Sequence, residues 1–219
     1  MNGFSDRLLA DHAATWQTMQ QHRFVTDIEQ DRLSAQVFNR YLVFEGDFVA
    51  TAIRIFAQAV GKAPGIEQQR WLVGVLTALV DEQMGYFEGV LARRGINPDD
   101  VQRNLPAVIR FRDGMLNAAC QGTYAEIMTL MFGAEWMYYH WCRRAYAAKQ
   151  TDQDVRQWVV MHAEAGFYAQ AGWLKEELDR CASALSAEER RRLSALYRQV
   201  LEWEIDFHHA AYDDTALGR

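Results

Sequence analysis

Apolar residues recur every three to four positions along most of the chain, the spacing that places them on one face of an α-helix. Strict alternation of apolar and polar residues, the pattern of a half-buried strand, is nearly absent. Only three prolines and fourteen glycines interrupt the chain, a scarcity that favours long helices over many short strands. Helices are predicted over residues 5–23, 31–60, 66–94, 107–119 and 123–148, from Asp152 onward with an interruption near residues 165–166, and over 186–212.

Residues that commonly begin helices support several of these boundaries. Ser5 is a predicted N-cap, because a serine hydroxyl accepts a hydrogen bond from the first turn. Thr123 with Glu126, and Ser186 with Glu189, have the spacing of capping boxes. About seven helices joined by short connections predict an all-α fold, a single helical bundle that forms one domain over residues 1–219.

Charge and cysteine content narrow the class of protein. The formal net charge of −6 argues against a nucleic-acid partner, which usually requires a basic surface. The one dense basic run, residues 190–192, follows Glu188 and Glu189 and is typical of a solvated helical surface. Three cysteines at wide spacing, Cys120, Cys142 and Cys181, favour a reducing compartment over a disulfide framework.

The targeting signals of secreted and membrane proteins are not apparent in the sequence. The first twelve residues are charged and amphipathic and contain no signal-peptide core. No run of about 18 apolar residues predicts a membrane span. We therefore expect a cytoplasmic protein without a membrane partner.

Three glutamates lie on otherwise apolar helical faces, each with an aromatic residue three positions later. The pairs are Glu45 with Phe48, Glu135 with Tyr138, and Glu204 with Phe207. A buried carboxylate is costly and its pKa usually rises, which makes it a candidate general acid or base. If these faces surround one cavity, they suit a flat heteroaromatic ligand, with rings stacking on it and carboxylates bonding its nitrogens.

Structural interpretations of the same residues remain open at this point. Glu45 could form an ion pair with an arginine, and Glu135 could accept a hydrogen bond from the Tyr138 hydroxyl within the core. His162 stands on an apolar helical turn, where a histidine is more often a satisfied core residue than a ligand.

These residues, in their order along the chain, carry a resemblance to the TenA/THI-4 family, which includes thiaminase II. Trp16 followed by residues 22–24 resembles the family's W…HPF start, and residues 38–43 resemble its F…YLVQD helix. Further positions match residues of the family's pocket. Glu45 stands where the family has a ring-binding Asp, and Phe48 and Phe111 stand where it has two tyrosines. Tyr138 matches a tyrosine of the family, and His162 falls near another. Glu204 and Phe207 match the terminal ExxF motif.

The sequence differs from the common branch of that family at the position of the nucleophilic cysteine. Ala134 stands where the family usually has a cysteine, four positions before Tyr138, and none of the three cysteines fits that register. Glu135, Tyr138 and Trp141 instead resemble the E-x-x-Y-x-x-W pattern of the branch called TenA_E. A thiolate attack on a pyrimidine ring should therefore be absent or very weak.

The resemblance implies a heme-oxygenase-like bundle that hydrolyses thiamine-derived aminopyrimidines in thiamine salvage, removing an amino or formylamino group. It implies a pyrimidine substrate, a homotetramer, no cofactor and no metal. It makes Glu204 the general acid/base, Glu45 the partner of the ring edge, and Glu135 with Tyr138 the groups that position water. Phe48, Phe111 and Phe207 would stack on the ring, and His162 would line the site.

Two other functions fit the sequence. One is a pyrimidine-binding or regulatory protein without catalysis, although no helix-turn-helix signature or basic reading surface is present for DNA. The other is a metal-dependent or cofactorless oxidase of the wider heme-oxygenase-like class. Its candidate ligands are Glu45, Glu135, His162, Asp206 and His209, of which Asp206 and His209 have helical i, i+3 spacing without a doubled ExxH motif.

Overall fold

A computed structural model describes residues 3–213, and within this part of the chain every regular element is a helix. The α-helices are α1 (Phe4–Asp11), α2 (Ala13–Gln20), α3 (Arg23–Glu29), α4 (Ala35–Lys62), α5 (Ile66–Ala78), α6 (Met84–Arg94), α7 (Pro106–Gln121), α8 (Tyr124–Tyr146), α9 (Gln153–Ala163), α10 (Ala165–Ser183) and α11 (Ala187–Ala210). A π-helical segment, Leu79–Gln83, joins α5 to α6, and a 3₁₀ turn, Pro98–Asp100, precedes α7. The all-α prediction is confirmed, with more helices than the seven or so expected. Residues 1–2 and 214–219 of the predicted domain lie outside the described residues.

The single helix predicted over residues 5–23 is wrong, because the chain there forms three short helices. α1 and α2 are separated at His12, and α2 and α3 at Gln21 and His22. Ser5 lies inside α1 rather than at its cap, a position that Gly3 takes. The Ser5 backbone N–H and hydroxyl donate to the Asp179 carboxylate at 2.6 and 2.9 Å, so a residue distant in sequence fixes this end of the chain.

The helix predicted from residue 31 begins later, at Ala35. Asp31 has a positive φ of 54°, which a right-handed helix cannot contain. Ser34 is the N-cap instead, and its side chain accepts a hydrogen bond from the Val37 N–H at 3.3 Å.

Other helix ends lie where the sequence predicts them, because the residues that cap them are close together in the chain. The Ser186–Glu189 capping box is confirmed, with its reciprocal bonds at 2.8 and 3.2 Å. Asp152 caps α9 by accepting from the N–H groups of Asp154 and Val155. The interruption expected near residues 165–166 occurs at Glu164, whose extended backbone separates α9 from α10.

The described residues form two compact units. The first consists of residues 3–33 and 125–205, and its core contains the fully buried Trp141, Trp158 and Tyr197. Within it α8 approaches α11 closely at Gly133, where an added Cβ would lie 3.0 Å from Val200 Cγ1. The absence of a side chain at Gly133 therefore permits the close approach of these two helices.

The second unit consists of residues 34–124 and 206–213, with α4 packed against α5, α6 and α7. The Lys62 ammonium donates to the carbonyls of Ala119, Cys120 and Gly122 at 2.7–2.9 Å, which satisfies the C-terminal end of α7. Gly46 needs no such close approach, because a Cβ there would meet Phe87 at an ordinary 3.5 Å. The single domain over residues 1–219 stays a prediction.

Candidate functional site

Helix α8 buries Glu135 in the first unit with only one of its two oxygens hydrogen-bonded. The residue is 7% exposed, and the Gln170 side-chain amide of α10 donates to its Oε1 at 2.8 Å. Oε2 is buried as well and has no hydrogen-bond partner within residues 3–213. A buried polar atom left unsatisfied in this way marks a place where a ligand or water can bind.

Burial raises the pKa of Glu135 to about 8, and the hydrogen bond from Gln170 offsets only part of that rise. At pH 7 roughly nine in ten of these side chains therefore hold their proton. Glu135 is then a neutral acid that can donate, rather than a carboxylate that can accept. The sequence argument that a carboxyl on an apolar face has a raised pKa is confirmed at this residue.

His162 of α9 is buried and neutral. Its Nδ1 lies 2.9 Å from the Trp158 carbonyl oxygen; since a carbonyl only accepts, Nδ1 carries the proton and Nε2 is the acceptor nitrogen. Burial lowers the pKa of His162 to about 4, with the Trp158 bond acting weakly in the opposite direction. His162 is thus held in the core through Nδ1, and its ring centroid lies 5.7 Å from that of Tyr138. Its part in binding a substrate stays a prediction.

Tyr138 of α8 is in ring contact with His162. It lies one turn after Glu135, and its ring centroid is 5.6 Å from that of Trp141 and 6.0 Å from that of Trp158. Trp141 stacks on Trp158 at 5.2 Å and is fully buried, so the last residue of the E-x-x-Y-x-x-W pattern belongs to the core. We name Glu135, Tyr138, Trp158, His162 and Gln170 the carboxyl–imidazole cluster.

Three phenylalanines from separate helices meet in the second unit. The Phe48 ring of α4 stacks on the Phe111 ring of α7, with their centroids 4.3 Å apart. The Phe111 centroid lies 4.8 Å from that of Phe207 of α11. Tyr41 and Phe44 extend this group against Phe207 at 6.0 and 6.2 Å. We name Phe48, Phe111 and Phe207 the phenylalanine cluster; Phe48 is its half-buried member.

The other two predicted glutamates are buried. Glu45 of α4, in the second unit, is 6% exposed, and Glu204 of α11, in the first unit, is 0% exposed. The neighbouring acids on α11 lie on the solvent side as expected: Glu202 pairs with Arg198 at 2.8 Å and Asp206 pairs with Arg110 at 3.1 Å. The apolar helical faces that the sequence indicated are therefore the buried ones.

The ligand set considered for a metal-dependent oxidase is not assembled in the described part of the chain. Residues 3–213 contain no group of three or more His, Cys, Asp or Glu side chains placed to hold a metal ion. Asp206 is held by Arg110, and His209 is exposed. The i, i+3 spacing of these two residues alone does not make a site.

No cysteine takes the place of a nucleophile beside Glu135. Ala134 is buried at the position where the resemblance places a cysteine. Cys142 is buried and Cys120 is exposed, while burial followed by the charge of Glu177 raises the pKa of Cys181 to about 11. The Cys181 thiol is therefore protonated near neutral pH and weakly nucleophilic.

The sequence reasoning missed Gln170, Trp158 and Phe167 as neighbours of the predicted residues. Trp158 lies one turn before His162, so its carbonyl was a foreseeable partner for that ring. Phe167 contacts the His162 ring at 5.0 Å. Gln170 lies 35 residues from Glu135, and no local pattern in the sequence indicates that contact.

No helix in the described range is both long and apolar enough to cross a membrane. This agrees with the expectation from hydropathy.

Comparisons with known proteins match almost the whole chain. Residues 9–214 fit the model of a family described as TENA/THI-4/PQQC. An aminopyrimidine aminohydrolase from Halalkalibacterium halodurans is 22% identical over 203 residues, which are 91% of either chain.

Solved structures show a similar fold. A TenA homologue from Pyrococcus furiosus superposes with a TM-score of 0.86 at 19% identity, covering 95% of this chain and 100% of that one. A Shewanella denitrificans domain of unknown function with a heme oxygenase-like fold gives a TM-score of 0.71 at 12% identity, covering 94% and 91%. These likenesses confirm the expected heme-oxygenase-like fold.

Proposed function

The chain belongs to the TENA/THI-4/PQQC family, and from that premise we propose that it hydrolyses thiamine-derived aminopyrimidines, releasing an amino or formylamino group. The observation that carries the proposal is the buried Glu135, whose Oε1 accepts from Gln170 while Oε2 has no hydrogen-bond partner within residues 3–213. Its raised pKa keeps it protonated at neutral pH. The name of the Halalkalibacterium halodurans relative, aminopyrimidine aminohydrolase, supports the same substrate class.

The reaction needs both a base and an acid. Water adds its oxygen to the carbon that bears the leaving nitrogen, the C–N bond breaks with its electron pair going to nitrogen, and that nitrogen takes up a proton. A base must accept the proton that the attacking water loses. Acid–base catalysis works best with pKa values near the operating pH, and the pKa of Glu135 meets that condition for the acid.

We assign the two roles to different glutamates of the first unit. Glu135 donates to the leaving nitrogen, because it holds a proton at pH 7 that an ordinary glutamate would have lost. This revises the role of positioning water that the resemblance gave it. Glu204 keeps the acid/base role of the ExxF motif and accepts the proton of the attacking water. Tyr138, which lies one helical turn after Glu135 and contacts the His162 ring, orients the reacting groups.

The remaining predicted residues keep the substrate-binding roles that the resemblance implies. The stacked rings of the phenylalanine cluster support a part in holding a flat ring. Glu45 remains the predicted partner of the pyrimidine amino group and ring nitrogen, and His162 supplies an acceptor nitrogen. A step through a cysteine thiolate is left out, because Ala134 replaces the nucleophile and Cys181 holds its proton.

Assembly as a homotetramer in the cytoplasm, without nucleic acid, remains part of the proposal. Exposed apolar side chains on one line of α5 and the π-helical segment, Ile66, Val73 and Val80, support a contact between subunits.

The test is release of amine and hydroxymethyl-pyrimidine from aminomethyl- and formylaminomethyl-pyrimidine, with thiamine in parallel. Release from either pyrimidine but not from thiamine is expected. Glu204→Gln should lower kcat on the order of 10³-fold, since acid–base groups contribute about 10²–10⁴ in rate. Glu202→Gln is the matched control, an exposed glutamate on the same helix that should leave kcat unchanged. Absence of release from all three compounds, or full turnover by Glu204→Gln, would contradict the proposal.

A further inference from the structure

We propose that Gln170 is a positioning residue: its amide holds Glu135 so that Oε1 accepts a hydrogen bond and Oε2 carries the proton that meets the substrate. This inference rests on the proposed hydrolysis and assigns a part to a residue outside the predicted site.

The contact fixes which oxygen of Glu135 is protonated. The Gln170 Nε2 donates to Oε1 at 2.8 Å, so Oε1 is the acceptor oxygen of the carboxyl group. In the neutral acid the proton must then reside on Oε2. That atom is buried and has no protein partner in the described residues, so it is the oxygen left to meet a ligand.

Because α9 ends and α10 begins at Glu164, side chains from two helices can contact the same face of α8. Glu164 is extended, with ψ of 167°, and α10 begins immediately after it. Gln170 therefore reaches Glu135 from α10, while His162 of α9 packs against Tyr138. One face of α8 thus receives a hydrogen-bond donor and an acceptor from separate helices, and the donor is directed at the carboxyl group.

Three titratable side chains on α8, α9 and α11 have pKa values that burial moves away from pH 8. Burial lowers the pKa of His140 and lowers that of His162 to about 4, while burial raises the pKa of Tyr197 above its ordinary value. Further titratable groups on these helices, on α3 and on α10 include Glu204, Glu29, Tyr138, Tyr139 and Tyr168. Glu29 is engaged by Arg144 at 3.0 Å. The signal that is lost in Glu135→Gln belongs to Glu135, and the signal that is lost in Glu204→Gln belongs to Glu204.

Replacement of Gln170 by leucine removes the donor and keeps a side chain of similar size. Because the amide bond favours the carboxylate, its loss should move the titration of Glu135 to higher pH. The alkaline limb of the kcat profile should move in the same direction, and kcat should fall about tenfold to a hundredfold with little change in KM, since the proton is misplaced. Gln199→Leu, at an exposed glutamine of α11, is the matched control.

Infrared difference spectra between pH 5 and pH 10 report the Glu135 titration without any turnover. The Glu135 band is identified by its loss in Glu135→Gln. An alkaline shift in Gln170→Leu, absent in Gln199→Leu, is expected. A Glu135 titration and a kcat profile in Gln170→Leu that match the wild type would overturn the inference.

A second variant, Gln170→Glu, covers the case in which the leucine variant fails to fold. Its carboxyl group can donate to Glu135 only while protonated, so turnover should approach the wild type at low pH and be lost as the pH rises. A wild-type profile in Gln170→Glu would overturn the inference. Wild-type protein inactive on both pyrimidines would defeat the proposed function, and the infrared spectra would still decide whether Gln170 controls the Glu135 proton.

Discussion

The carboxyl–imidazole cluster and the phenylalanine cluster arise from the same sequence spacing but differ in chemistry. Both lie on helices where a glutamate is followed three positions later by an aromatic residue. In the carboxyl–imidazole cluster, α10 contributes an amide to Glu135 and α9 an imidazole to Tyr138. Burial raises the pKa of Glu135 to about 8 and lowers that of His162 to about 4. Around Phe207, the contacts described from α4 and α7 are the rings of Tyr41, Phe44 and Phe111, with centroids at 4.8–6.2 Å. The spacing alone therefore does not decide whether a site titrates; the opposing helices do.

The largest expected effect on stability belongs to the phenylalanine cluster. Phe207→Ala should destabilise the protein by about 3–5 kcal/mol, because it empties a fully buried position among other rings. The loss should depend less on pH between 5 and 8 than the effect of Glu135→Gln, since none of the three phenylalanines titrates. Urea denaturation at both pH values measures it. A strongly pH-dependent loss would remove the distinction between the two clusters.

Glu135→Gln should act in the opposite direction and depend on pH. The pKa of Glu135 is raised from 4.5 to about 8, so the unfolded chain loses this proton first and wild-type stability falls as the pH rises between these values. From pH 5 to pH 7 the variant should gain about 3 kcal/mol relative to the wild type, at about 1.4 kcal/mol per pH unit. Denaturation midpoints at both pH values test this, with Glu202→Gln as the control. A constant difference would contradict the raised pKa.

His162 should produce a smaller effect on the acid side. Its pKa is lowered from 6.5 to about 4, so the unfolded chain takes up the proton first and stability is lost as the pH falls through this range. From pH 6.5 to pH 5 the wild type should lose about 2 kcal/mol through this group. His162→Phe should be spared that loss, whereas His209→Phe, at an exposed position, should behave like the wild type. Equal acid sensitivity of all three proteins would show that His162 is not buried in its neutral form.

The sequence predicted helix ends well where the signal lies within one turn. The Ser186–Glu189 capping box and the Asp152 cap involve residues at most three apart. It failed for the first helix, because no proline or glycine marks the breaks at His12 and Gln21. There Ser5 is held by Asp179, 174 residues away, which no local pattern reveals.

The candidate site shows the same limit. Helical periodicity placed Glu135 and Tyr138 on one buried face, and the cost of burying charge indicated the direction of the Glu135 pKa. Periodicity could not show that Gln170 bonds one oxygen and leaves the other without a protein partner. That arrangement depends on the packing of α10 against α8, which is tertiary structure.

The central claim is that a protonated glutamate, in a chain without the family's cysteine, supplies the acid for aminopyrimidine hydrolysis. The most direct test is ammonia release from aminomethyl-pyrimidine, followed from pH 6 to pH 10 for the wild type and Glu135→Gln. We expect wild-type turnover to decline through an apparent pKa of about 8, and turnover of Glu135→Gln to be lower on the order of 10²–10⁴-fold. Undiminished turnover in Glu135→Gln, or a wild-type rate that does not decline above pH 8, would contradict it.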